Sequence, residues 1–322
     1  MSERNALLHP EIHYLGNNDI TSNRVTIHYS IIHLIFELLF PITLAIVLTL
    51  ISLIKFPLTQ LGFFCDDRTI RYPYQESTVK SYEMYLFLVP TILSFIILTL
   101  VEQFSQFYER KCLQTLAKTR PVHVILNCIV RNFEVPFWLW KFVYILYAFV
   151  VGHLVTMVVT YSLKLSVGEL RPHFLDVCKP NLSLTTCKNT LGFEVYVTNY
   201  TCTGDSDLVR EGRLSFPSGH SSFISYNMAF LIFYLETKQF LPRGFRSFLS
   251  IVFAIVACLI SLSRLDDFKH HNHDVIAGMA IGVVTAAFMY FYIMRYNIVI
   301  SIHKKRKKLS HRVDHDLSGA RI

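Results

Sequence analysis

Six apolar stretches set the terms for any fold of this 322-residue chain. They run over Ile31–Ile54, Tyr85–Val101, Phe142–Leu163, Ser221–Leu235, Phe248–Leu262 and Val275–Met294. Each approaches the roughly 20 residues that a helix needs to cross a bilayer. The fourth and fifth are the shortest, so each either extends into its flanks or forms a helix buried in protein. The first contains His33, Glu37 and Pro41, which moves its apolar start towards Leu38. Lipid offers no partner to an unpaired backbone group, so six such runs predict an all-α, polytopic bundle of six transmembrane helices. Charged residues make up only 17%, against about 25% in average soluble domains. The 52% apolar share excludes a disordered, collagen-like or small disulfide-scaffold protein. No period of 20–50 residues marks a repeat array.

The chain carries 31 basic and 23 acidic side chains, a formal charge of +8, and the position of the excess decides its meaning. Eight basic residues (Arg295, Lys304, Lys305, Arg306, Lys307, Lys308, Arg312 and Arg321) fall in the last 28, directly after the sixth run. Segments rich in Lys and Arg stay on the cytoplasmic side of a membrane. No basic surface helix or zinc-finger spacing accompanies them, so nucleic acid is not an expected partner. The Tyr108–Arg131 segment and the Lys238–Arg246 link are basic as well. An even number of crossings puts these segments and both termini in the cytoplasm. The expected organisation is a polar N-terminus over 1–30 without the apolar core of a cleavable signal, a membrane domain over 31–294, and a basic tail over 295–322. Plasma membrane and internal membranes are both open, as is self-association into a homo-oligomer.

The outer loop, 164–217, then faces the lumen or the cell exterior. It holds the sequons Asn181-Leu-Ser183 and Asn199-Tyr-Thr201, which predict glycosylation of Asn181 and Asn199. Cys65, Cys178, Cys187 and Cys202 share that side, Cys112 and Cys128 lie inside, and Cys258 sits in a helix. Four outer cysteines allow up to two disulfides with three pairings, or free thiols.

Polar residues gather at three places, all at outer ends of apolar runs. Lys164 and Arg171 are seven apart, on one face if the helix continues until Pro172 ends it. Pro217-Ser218-Gly219-His220 opens the fourth run. It reads as a helix cap, or as an anion cradle in which the N–H groups of Ser218 and Gly219 sit beside an imidazole. Ser263-Arg264 precedes His270, His271, His273 and Asp274. A carboxylate four residues after His270 can fix its tautomer and leave a lone pair for attack. Three histidines and an aspartate also read as a metal site, which convergence of Lys164, Arg171 and Arg264 would disfavour. One boundary thus holds three cations, two imidazoles and a carboxylate, a set suited to a phosphate monoester: cations neutralise its oxygens, one imidazole attacks, and the other protonates the leaving oxygen.

Lys164-x6-Arg171-Pro172, Pro217-Ser218-Gly219-His220 and Ser263-Arg264-x5-His270-x3-Asp274 resemble, in order, the three signature motifs of the type 2 phosphatidic acid phosphatase superfamily. Gly62–Asp67, Ile70–Tyr74, Lys164–Leu175 and Glu211–Ser215 resemble its animal lipid phosphate phosphatases. The resemblance implies a phosphatase core of six helices like that shared with the vanadium haloperoxidases. It implies metal-independent hydrolysis of phosphatidic acid, lysophosphatidic acid, sphingosine 1-phosphate and ceramide 1-phosphate at the outer membrane face, attenuating lipid signalling, with no cofactor. It also assigns roles. His270 is the nucleophile that forms a phosphohistidine, Asp274 orients it, and His220 is proton donor and later base. Lys164, Arg171, Arg264, Ser218 and Gly219 hold the phosphate. Glu169 departs from the pattern, standing where relatives are associated with a basic residue.

Two other classes stand beside this reading. A catalytically silent lipid-binding scaffold would keep the fold and show no turnover. A transporter would use intramembrane Glu37, Lys141 or His153, which are scattered rather than aligned along a pore. A phosphohistidine enzyme predicts a bell-shaped pH profile with rates falling in acid.

Overall fold

The structure, a computed structural model, describes residues 28–53, 61–79, 88–113, 123–127, 132–181, 187–188 and 191–291. The N-terminus up to residue 27, most of the basic 108–131 connection, Cys128 and the basic tail lie outside the described residues.

Over the described residues each of the six apolar runs is helical: α1 (Ile31–Leu53), α2 (Leu88–Leu113), α3 (Phe137–Val167), α6 (Gly219–Glu236), α7 (Arg243–Asp266) and α8 (Asn272–Phe291). Two short helices, α4 (Phe174–Cys178) and α5 (Ser206–Glu211), lie in the connection between α3 and α6. Among the described residues three stretches are long and apolar enough to cross a membrane: Leu139–Val167, Arg243–Asp266 and Asn272–Phe291. Shorter apolar stretches occupy α1 (Ile35–Ile51) and α2 (Val89–Phe104). Apolar side chains face outward along the bundle, at Phe248, Ile251, Ile255, Leu259 and Leu262 of α7 for example. That spacing makes one helical face, and an outward apolar face fits lipid rather than water.

α6 is the exception, because it is the centre. Twelve of its 18 residues are buried, including Ser221, Ser222, Ser225 and Asn227. Some of its polar groups meet partners inside the bundle, while Ser225 Oγ and Asn227 Nδ2 have no hydrogen-bond partner among the described residues. Thr160 Oγ1 and Ser222 Oγ lie 2.9 Å apart, and His153 Nδ1 lies 3.2 Å from Asn227 Oδ1. α8 approaches closely through glycines. A Cβ at Gly278 would sit 2.5 Å from the Ser218 carbonyl oxygen, and one at Gly282 would sit 2.3 Å from that of Ser222. An aromatic core of Phe95, Phe149, Tyr226 and Phe230 joins α2, α3 and α6.

The all-α expectation needs a correction, since the chain is mostly helical but includes short strands. β1 (His28–Ser30) pairs in parallel with β3 (His123–Asn127), which pairs antiparallel with β4 (Asn132–Pro136). β2 (Phe63–Phe64) pairs antiparallel with β5 (Tyr196–Val197). Each is two to five residues long, too short to give an alternating hydrophobic pattern in the sequence.

The pairings sort the connections. β1, β3 and β4 mark one end, where Lys238 of the α6–α7 link pairs with Glu102. At the other end the 61–79 segment meets the outer loop and the α7–α8 turn. Tyr72 N–H donates to the Pro172 carbonyl (3.0 Å), and Thr78 N–H to Asp267 (2.9 Å). Phe63, Ile70, Leu170, Phe174, Val197 and Tyr200 form a separate small core there. Arg213 packs over the rings of Phe174 and Tyr200 and donates to the Tyr200 hydroxyl at 2.8 Å. Of the three cysteine pairings the structure contains Cys65–Cys187 and Cys178–Cys202, and Cys258 is an exposed free thiol.

Candidate active site

α3 has 31 residues, about 46 Å at 1.5 Å each, so it outlasts a hydrocarbon layer of about 30 Å and carries Lys164 near its C-terminal end. It stops at Val167 because Gly168 takes a left-handed conformation (φ 65°) and donates its N–H to the Lys164 carbonyl (3.1 Å), a glycine stop. The helix therefore does not continue to Arg171. Arg171 instead comes from the following turn, where its N–H donates to the Gly212 carbonyl at 2.8 Å. Both cations still reach one cavity.

That cavity, about 210 Å³, is lined by Lys164, Arg171, Gly219, His220, Arg264 and His270, and also by Ser77, Glu211, Phe223 and Lys269. Lys164, Arg171, Arg264, Lys269 and His270 are all buried. Each cation is held by a defined partner. Lys164 Nζ donates to the carbonyls of Leu214 (2.7 Å) and Ser215 (3.2 Å). Arg171 pairs with Glu211 at 2.7 Å. Arg264 pairs with Asp267 at 2.8 Å and donates to the Val79 carbonyl at 3.0 Å. Burial alone would raise the Glu211 carboxyl, but Arg171 outweighs it and holds the group below its ordinary value. His220 Nε2 and Arg171 Nε are buried without hydrogen-bond partners among the described residues, so both keep unused capacity at the cavity.

His270 sits in the turn between α7 and α8. Asp274, three residues past His271, accepts the His271 backbone N–H on Oδ2 at 2.8 Å, the back-reaching half of a capping box. The same oxygen accepts from Ser215 Oγ at 2.6 Å and stands 3.6 Å from His270 Nδ1. The carboxylate thus faces Nδ1 and leaves Nε2 as the atom that can attack. Burial, reinforced by Lys164 and Arg171, pushes the His270 imidazole well below its ordinary value against the pull of Asp274. A neutral ring is what a nucleophile requires.

The three motifs thus meet. Ser218 is placed differently from Gly219. The Ser218 N–H donates to the Asp274 carbonyl (3.0 Å), and its hydroxyl caps α6 through Ser221. Of the two expected cradle residues only Gly219 lines the cavity, because the Ser218 N–H is already used to tie α6 to α8. Asn181 and Asn199 are both exposed on the connection between α3 and α6.

Several site residues escaped sequence reasoning. Lys269 packs over the Tyr74 ring (3.8 Å), and burial followed by Arg171 lowers its ammonium to about 8. His173, with Nδ1 2.7 Å from the Phe268 carbonyl, braces the turn before His270 at a residue whose φ is +53°. Burial lowers His173 to about 4, so it stays neutral and can donate that bond. Ser215 and Glu211 lie in a segment that resembles the family but carries no signature motif. Glu169, the departure noted above, accepts from His273 Nε2 at 2.7 Å.

Residues 138–298 match the family described as the PAP2 superfamily. The chain belongs to this superfamily. Phospholipid phosphatase 1 of Rattus norvegicus is 34% identical over 264 residues, 81% of this chain and 84% of that protein. Phospholipid phosphatase 1 of Mus musculus is 30% identical over 267 residues, covering 81% and 85%. A Drosophila melanogaster relative is 33% identical over 241 residues, 72% of this chain but only 61% of its own length. No solved structure matches the chain.

Proposed function

We propose that this chain is a lipid phosphate phosphatase that works through a phosphohistidine. One observation carries the reading: His270, backed by Asp274, shares a single cation-walled cavity with His220. His270 Nε2 attacks phosphorus and the P–O bond to the lipid breaks. His220 gives its proton to the departing alkoxide, and Lys164, Arg171, Arg264 and the Gly219 N–H neutralise the phosphoryl oxygens. Asp274 stabilises the positive imidazole of the intermediate. His220 then takes a proton from water, whose oxygen attacks phosphorus. The P–N bond breaks, inorganic phosphate leaves, and His270 returns to neutral. No step requires a metal.

A second groove supports a lipid rather than a soluble ester. It measures about 390 Å³ and lies between α1 (Leu48, Thr49, Ile51) and α3 (Met157, Tyr161, Lys164, Leu165), with Leu214 and Arg210 at its rim. Tyr161, Lys164 and Leu214 line both spaces, so an acyl chain between the helices places its phosphate at Lys164. Phosphatidic acid, lysophosphatidic acid, sphingosine 1-phosphate and ceramide 1-phosphate all have this form. We place the site at the extracellular or lumenal face of a six-span chain, with both termini in the cytoplasm. Two disulfides and two exposed sequon asparagines on that end support this sidedness.

The test is phosphate release from lysophosphatidic acid in chelator, by purified wild type and His270→Ala. Turnover is expected in the wild type, with a phosphoenzyme that is stable in base and lost in acid, as a P–N bond requires, and none in His270→Ala. Undiminished turnover in His270→Ala refutes the nucleophile, and silence of a folded wild type favours the lipid-binding scaffold.

A further inference from the structure

On the far side of Asp274 from the cavity, four side chains converge that the proposed hydrolysis does not require as a group. Glu169, His271, His273 and Asp274 each direct one donor atom into a cluster within 4.8 Å. His273 Nε2 stands 2.7 Å from Glu169 Oε1 and 3.3 Å from Asp274 Oδ1. His271 Nδ1 stands 3.6 Å from Glu169 Oε1 and 3.4 Å from Asp274 Oδ2. A tetrahedral ion with bonds near 2.1 Å has donor atoms about 3.4 Å apart; three of these spacings lie close to that, and the Glu169–His273 hydrogen bond at 2.7 Å would open to admit the ion.

Three further observations point to a ligand. Asp274 is fully buried, yet its Oδ1 has no hydrogen-bond partner among the described residues, and the same holds for His271 Nδ1. The two imidazoles are nearly parallel, 10° apart with centroids at 5.3 Å, and Phe216 stacks on His273, so ring orientation is set before any ion arrives. The groove beside the cluster, lined by Glu169, His271, Asn272 and His273, has no Lys or Arg among its described lining residues. The cations that disfavour a metal line the catalytic cavity instead.

The geometry points to a divalent transition-metal site at Glu169, His271, His273 and Asp274, with mixed nitrogen and oxygen donors of the kind zinc takes. Binding there is inhibitory. The ion occupies the carboxylate that faces His270 Nδ1 and offsets its negative charge, so Asp274 no longer stabilises the phosphoimidazole. The inhibitory half of this inference rests on the phosphatase reading; the site itself does not. His273 and Glu169 are outside the machinery of hydrolysis, so the sensitivity can be removed without removing the enzyme.

The experiment titrates zinc into the purified, chelator-stripped full chain in detergent, reading binding by competition with a chromophoric chelator. Hydrolysis of lysophosphatidic acid is followed in parallel for wild type, His273→Ala and Glu169→Gln. One saturable zinc per chain is expected, with inhibition following its occupancy. Each substitution should weaken both binding and inhibition at least about tenfold while leaving metal-free turnover and melting temperature near wild type. Absence of a saturable site in wild type overturns the inference, as does unchanged zinc binding in both variants. A wild type that binds zinc but never releases phosphate counts against the proposed function and leaves the site standing.

Discussion

Asp274→Asn separates the charge of the carboxylate facing His270 from its shape. Ser215 Oγ and the His271 N–H both donate to Oδ2, so the asparagine carbonyl takes that position and keeps both bonds. The amide then occupies the Oδ1 position, and the atom facing His270 Nδ1 at 3.6 Å remains an oxygen without its charge. Both side chains are buried, 3% and 0% exposed, so screening by solvent is slight. At an effective dielectric of about 20 a charge pair at 3.6 Å is worth about 4–5 kcal/mol. Positive charge on the imidazole develops only as the P–N bond forms, so the loss falls on the chemical step, a factor of about 10³. Rapid-quench trapping of phosphoenzyme from radiolabelled lysophosphatidic acid in chelator measures that step directly. The expected result is phosphoenzyme formation slowed about 10³-fold with substrate affinity nearly unchanged. A folded variant slowed less than about tenfold would show that the charge of Asp274 does not act on His270, and the assigned roles would fall.

Three other outcomes follow from the outer end of the molecule. His173 has a folded pKa near 4 against an ordinary 6.5, so the unfolded chain binds its proton first on acidification. Its contribution is present above pH 6.5 and is lost as pH falls towards 4, about 3 kcal/mol across that window. Melting curves should therefore fall less steeply with acid in His173→Gln than in wild type. Removing Cys178–Cys202, which closes a 24-residue separation, should destabilise the outer loop by about 3 kcal/mol, read by hydrogen exchange around Tyr200. Asn181→Gln and Asn199→Gln should each remove one glycosidase-sensitive species from cell-expressed protein. Wild-type protein carrying no glycosidase-sensitive glycan would count against a lumenal or extracellular loop.

The sequence exposed the site through spacing. Lys164, Arg171, His220, Arg264 and His270 all end apolar runs, and a bundle brings like ends together, so they converge in the structure. What stayed hidden depended on contacts between loops. No local pattern pairs Cys65 with Cys187 across 122 residues, and Glu211 has no signature beyond its segment until Arg171 lies 2.7 Å away. α6 looked doubtful as a span because its apolar run is short, and no local pattern shows that Thr160 and His153 of α3 meet Ser222 and Asn227. That the Ser218 N–H serves the Asp274 carbonyl is equally invisible in the sequence.

The central place of α6 has a consequence for how the protein is made. A helix whose serines and asparagine must be met by neighbours cannot rest alone in hydrocarbon. Its glycine-bearing partner α8 ends at Phe291 and leaves the ribosome long after it. The fourth apolar segment is therefore the one that the insertion machinery must shelter until the last arrives. Defects in biogenesis should concentrate on the contact faces of Gly278 and Gly282 rather than on the lipid-facing helices.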